Sequence, residues 1–128
     1  MLTTGIKGIK EITVEERMTA KAVGSGALEV YSTPSMVALI EETAWRSVAN
    51  ELKEGEGTVG TKLEITHVSA TPVGAKVRCE TELISVDRRR LIFLASVYDE
   101  NGKIGDGTHE RFIINNEKFM NKAKHKFD

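Results

Sequence analysis

Residues 11–20 alternate in polarity: Ile12, Val14 and Met18 fall on even positions, with Thr13, Glu15, Arg17 and Thr19 between them. That period of two predicts a half-buried first strand over 11–20. Residues 21–32 are small and glycine-rich (Gly24, Ser25, Gly26), as in a connection that passes over a surface or a site. Thr33 then suits an N-cap, with Pro34 at the first helical position, where its missing amide hydrogen costs nothing. From Pro34 to about Leu52 the period changes. Val37, Ile40, Ala44, Val48 and Leu52 recur at spacings of three and four, one buried helical stripe that Gly55 and Gly57 end. Four strand-like segments follow, near 59–69, 76–86, 91–98 and 104–114. They are separated by Thr71-Pro72-Val73-Gly74, a charged bend at 87–90, and Asn101-Gly102. The tail, 115–128, is polar, with room for a short helix and a frayed end. The expected class is α+β: a strand, a long helix, then a four-strand antiparallel meander, with the sheet wrapped around one central helix in a single domain of residues 1–128. Such a sheet covers one side of the helix only, and self-association is the simplest cover for the other.

Composition narrows the picture. With 128 residues and 40% hydrophobic content the chain supports one core. Lys and Arg total 18 against 19 Asp and Glu, so no global field draws in nucleic acid or an anionic membrane. One cysteine, Cys79, has neither a disulfide partner nor the neighbours of a metal site, which points to a reducing compartment, the cytoplasm. The first ten residues hold no apolar run, so neither a signal peptide nor a membrane span is expected.

The helix carries adjacent acids that point about 100° apart. Glu41 falls within the apolar stripe, whereas Glu42 falls outside it, one turn before Arg46, as a solvent-side ion pair. A carboxylate on a buried stripe needs a partner, unless it sits at the stripe's edge and reaches water. In the next strand Val59, Thr61, Leu63, Ile65 and His67 share the core face by strict alternation, with Gly60, Lys62, Glu64 and Thr66 on the other. His67 is then either a satisfied core histidine or an acid–base group that meets Glu41 across a shared interface. Thr33 stands at a helix N-terminus, whose positive potential suits a polarised carbonyl, or it is a plain cap. Gly55-Glu56-Gly57-Thr58-Val59-Gly60 matches GxGxxG but follows a helix and enters a strand, the reverse of a dinucleotide site. Cys79 shares a face with Val77, Thr81 and Leu83 and reads as core. Neither His67 nor His109 has a metal-like spacing to a second ligand, so no metal is expected.

Three stretches together resemble the fluoroacetyl-coenzyme A thioesterase-like family of hot-dog proteins: Ser32-Thr33-Pro34 through Glu41, Ile65-Thr66-His67-Val68-Ser69-Ala70-Thr71-Pro72, and Gly107-Thr108-His109-Glu110-Arg111. The likeness runs from about Tyr31 to Phe119. The family's catalytic Thr, Glu and His fall on Thr33, Glu41 and His67. The resemblance implies a hot-dog fold, a homodimer with two sites at the subunit interface, and hydrolysis of a small acyl-coenzyme A (CoA) thioester to free acid and CoA. It also implies no metal or redox cofactor, CoA entering only as part of the small-molecule substrate. Gly60, His109, Arg111 and Arg89 are expected to bind that substrate, Arg89 through a CoA phosphate. One departure stands out: the fluoroacetyl-specific member has a longer, aromatic-bearing segment before its helix, whereas residues 21–32 here hold only Tyr31. Selectivity for fluoroacetyl is therefore not expected to carry over. Two other activities remain open at this point, an acyl-CoA hydratase or dehydratase and a non-catalytic acyl-CoA binding module.

Overall fold

The turns at Arg88-Arg89 and Asn101-Gly102 fold three strands back on one another: β3 (Lys76–Asp87), β4 (Arg90–Asp99) and β5 (Gly102–Asn115). In the computed structural model, which describes residues 2–128, they form the middle of a five-stranded antiparallel sheet of order β1-β3-β4-β5-β2. β1 (Lys7–Thr13) lies at one edge and β2 (Glu56–His67) at the other. The long helix α2 (Thr33–Val48) crosses the concave face, the hot-dog arrangement. A short helix, α1 (Ala20–Val23), precedes it, and α3 (Asn116–Lys124) closes the chain with no buried residue. No helix among the described residues is long and apolar enough to cross a membrane.

The core follows from the two periodicities. On β3 the buried side chains are Val77, Cys79, Thr81 and Leu83, and on β4 they are Leu91, Phe93, Ala95 and Val97, every second residue in each case. Onto them α2 lays Met36, Leu39, Ile40, Thr43, Ala44 and Val48. Complete burial of one large apolar side chain such as Phe93 contributes roughly 1.5–3 kcal/mol. Where β1 runs under the helix, a Cβ on Gly8 would stand 2.9 Å from the Thr43 carbonyl oxygen, so only glycine allows that approach.

Several expectations need correction. The first strand is Lys7–Thr13 and stops where Glu15, Glu16 and Arg17 turn outward into a single 3₁₀ turn. Alternation does persist as far as Val14, which is buried. The cap of α2 is Ser32, whose hydroxyl accepts from the Ser35 amide; Thr33 is already helical and Pro34 follows it. The helix ends at Val48, which leaves Leu52 outside it and half-buried; Val37, also placed on the stripe by spacing, is half-buried beside the buried Met36 and Leu39. The meander holds for β3, β4 and β5 alone. β2 does not pair with β3; the segment 68–75, with its Pro72 and Gly74 turn, carries the chain across to the far side of the sheet. A turn dipeptide reports a local reversal and cannot say which strand the chain rejoins.

Candidate active site

Capping by Ser32 leaves the Thr33 hydroxyl without a capping duty. It reaches instead to the end of β2, where Thr33 Oγ1 and His67 Nδ1 lie 2.8 Å apart, 34 positions distant in sequence. Tyr31, buried beside them, sets its ring edge-on to the imidazole, with centroids 6.5 Å apart. Burial drives the Tyr31 hydroxyl far above its ordinary pKa, so it stays a neutral wall. His67 Nε2 is buried with no hydrogen-bond partner. A ring with one nitrogen on a hydroxyl and the other uncommitted has the means to take and give a proton. The pair opens into a cleft of about 350 Å³, walled by Ser32, Val68, Ser69 and Ala70 and by Ser25 of the glycine-rich connection.

Glu41 is not part of this pair. It stands two helical turns along α2, roughly 12 Å away at 1.5 Å per residue. Its side chain, 37% exposed, accepts from Arg111 Nη1 at 3.3 Å. The stripe-edge expectation and the need for a partner are thus both met. Arg111 is nearly enclosed and is anchored elsewhere: Nε donates to Thr58 Oγ1 at 2.8 Å and Nη2 to the Thr58 carbonyl at 3.0 Å. Burial pulls the Arg111 pKa down from its ordinary value, and the Glu41 charge works against that pull. His109, wholly buried, meets the same guanidinium at 3.2 Å through Nε2.

Strict alternation put Gly60 on the outer face, and the structure places it inward, beneath Glu41. The reason is a bulge: between Gly60 and Lys62 the pairing with β5 slips by one residue, so Thr58 and Gly60 share a face with Leu63, Ile65 and His67. A Cβ on Gly60 would lie 2.5 Å from Glu41 Oε2, so the glycine is the floor of the carboxylate's seat. Arg89 belongs to neither group. It sits at the β3–β4 turn, donates to the Ile113 carbonyl at 3.1 Å and faces Glu56 at 3.6 Å. Glu42 pairs with Arg46 at 2.8 Å on the solvent side.

Sequence reasoning missed Thr58, the anchor of Arg111, and the Lys62 carbonyl, which lies 2.9 Å from His109 Nδ1. A glycine inside a strand pattern, Gly60 before Thr61, was the available signal for the bulge that aims both. A second cleft, about 490 Å³ between β1 and α2, is lined by none of Thr33, Glu41 or His67. Its charged walls neutralise one another, Lys10 with Glu42 and Arg17 with Glu15. Burial pushes the Cys79 thiol up to about 11, which leaves it inert at neutral pH.

Comparison with known proteins gives the family and the fold. The family model of the fluoroacetyl-CoA-specific thioesterase matches residues 14–117. The fluoroacetyl-CoA thioesterase of Streptantibioticus cattleyicolor is 45% identical over 98 residues, 77% of this chain and 70% of that protein. The solved structure of the fluoroacetyl-CoA thioesterase FlK superposes with a TM-score of 0.93 at 35% identity, covering 100% of this chain and 99% of its own. A mutant of FlK in complex with fluoroacetate and CoA gives 0.88 at 37% identity, covering 92% and 99%. A thioesterase-superfamily member from Thermus thermophilus gives 0.89 at 25% identity, covering 99% and 96%.

Proposed function

As a member of the fluoroacetyl-CoA-specific thioesterase family the chain is an acyl-CoA thioester hydrolase, and we propose that it works through Thr33 and His67 at one end of α2 and Glu41 two turns along it. Family membership sets aside the hydratase and binding-module alternatives. The observation that carries the assignment of residues is the 2.8 Å contact of Thr33 Oγ1 with His67 Nδ1 at the mouth of a cleft.

The proposed chemistry runs in two steps. His67 takes the Thr33 proton as the Thr33 oxygen attacks the thioester carbonyl, then gives that proton to the sulfur as the C–S bond breaks and CoA leaves as the thiol. Glu41 next takes a proton from water as the water oxygen attacks the acyl-Thr33 ester, and passes it to the departing Thr33 oxygen. Acid–base assistance of this kind is worth roughly 10²–10⁴-fold. Gly60 and Arg111 serve by seating Glu41, and Arg89 is the proposed contact for a CoA phosphate. The segment before the helix, residues 21–32, brings Tyr31 as its one aromatic ring to the cleft, in keeping with a small acyl group other than fluoroacetyl.

Glu41 and the Thr33–His67 pair are too far apart within one chain to share a substrate, and the proposal therefore includes a homodimer. The outer edge of β2 is free, it exposes Leu63, and it flanks both groups. A second copy added there about a two-fold axis would bring Glu41 of one chain toward Thr33 and His67 of the other. We place the protein in the cytoplasm, where its lone buried thiol stays reduced.

The test is a thiol-release screen over short acyl-CoA thioesters, followed by mixing of two inactive variants, Thr33→Ala and Glu41→Gln. A shared site predicts recovery of about a quarter of parental activity, because half of the dimers become mixed and each mixed dimer holds one intact site. No recovery, with exchange of subunits verified, sinks the shared site. Mass spectrometry of Glu41→Gln with its best substrate should show an acyl group on Thr33. Turnover by Thr33→Ala at the parental rate would refute the nucleophile.

A further inference from the structure

His109 is wholly buried and has Phe93 packed on its ring, with centroids 6.3 Å apart, so it cannot touch a substrate in the cleft. Both of its ring nitrogens are nevertheless occupied. Nδ1 lies 2.9 Å from the carbonyl oxygen of Lys62, an atom that only accepts, so Nδ1 carries the hydrogen. Nε2 lies 3.2 Å from Nη1 of Arg111, a group that only donates, so Nε2 presents its lone pair. The two neighbours, one a pure acceptor and the other a pure donor, select the same neutral tautomer.

We infer that His109 is a positioning residue: fixed by the Lys62 carbonyl, its Nε2 lone pair holds Nη1 of Arg111 at the angle from which that nitrogen reaches Glu41. Without this acceptor Nη1 is tied only to a half-exposed carboxylate, and the guanidinium hinges about its two bonds to Thr58. The Lys62 carbonyl is aimed by the bulge at Thr61, so an irregularity of the edge strand is carried through two side chains, His109 and Arg111, to the carboxylate. Burial also lowers the pKa of the ring, with the Arg111 charge acting in the same sense, and both favour the neutral form. The inference rests on Glu41 being the residue that activates water.

Nitrogen NMR of histidine-labelled protein tests the tautomer without any assay of activity. The chain has three histidines, and the signal lost in His109→Gln identifies the one in question. It should show a protonated Nδ1 and a bare Nε2 at neutral pH; a protonated Nε2 or an imidazolium overturns the inference. Kinetics test the purpose. Gln can set an oxygen near the place of Nε2 and keep an acceptor for Arg111, whereas Asn can keep a donor for Lys62 and leave Nη1 bare. His109→Asn should lower kcat about ten- to a hundredfold with little change in KM, and His109→Gln should recover most of it. Equal losses that follow the melting temperature would make His109 a core residue only and overturn the inference. A wild-type protein that turns over no thioester would remove the proposed function and the purpose of the chain with it, while the tautomer stands or falls on the spectrum.

Discussion

The two halves of the site are built on opposite plans. At the N-terminus of α2, Thr33 and His67 share one hydrogen bond, and the second ring nitrogen is left without a partner. Two turns along, Glu41 rests on Arg111, which is itself bound to Thr58 and His109, over Gly60, where an added Cβ would push the carboxylate from its place. The first half leaves one ring nitrogen uncommitted. The second is fixed, and its buried members are each matched donor to acceptor. A proton carrier must not be over-determined, while a charge that has to stand at one place must be, because a buried network is stable only when every member is satisfied.

Substitutions break this contrast in graded fashion. His67→Ala removes the carrier and should lower kcat by roughly 10²–10⁴-fold while folding survives, as steady-state rates and a melting curve would show. Parental turnover would make His67 a core histidine. Glu41→Gln keeps the shape and removes the charge, and a loss of about a hundredfold or more in kcat is expected. Gly60→Ala alters neither reacting group. Its methyl collides with Glu41 Oε2, and an effect near tenfold on kcat would measure how much the position of the carboxylate matters. Ser32→Ala should cost about 1 kcal/mol of stability through the lost cap, read from denaturant unfolding. Glu42→Gln is the control beside Glu41: it weakens partly exposed pairs with Arg46 and Lys10, within about 1 kcal/mol, and should leave turnover unchanged. A larger catalytic loss at Glu42 than at Glu41 would mean that the adjacent acids have been assigned the wrong way round.

What the sequence revealed divides along the same physical line. The helix and the three middle strands were legible because burial on one face imposes a period, but the phase of α2 did not separate the adjacent acids by burial: the Glu41 and Glu42 side chains are 37% and 34% exposed, and their partners set them apart, Arg111 for one, Arg46 and Lys10 for the other. Pairings between distant segments leave no such trace. Nothing local to Glu41 or Arg111, 70 positions apart, says that they meet. The crossing of β2 to the far edge was hidden for the same reason, since Pro72 and Gly74 turn the chain equally well into a hairpin or a crossover. The bulge defeated the alternation rule outright, because one unpaired residue exchanges faces for everything beyond it. The cap lies one position before the expected Thr33: Ser32 has the same capping chemistry, and the local sequence does not fix which hydroxyl stands at the boundary.

Cys79 bears on how these experiments are read. A chromogenic disulfide such as Ellman's reagent detects the CoA thiol released by turnover, and most proteins contribute a background from their own cysteines. Here the single thiol is sealed between α2 and the sheet and is held protonated, so the folded protein should be silent to the reagent. Any slow signal in the absence of substrate then counts molecules whose core has opened. The same cuvette thus reports catalysis on the scale of seconds and local unfolding on the scale of hours, and a variant that has lost activity can be separated at once from one that has lost its fold.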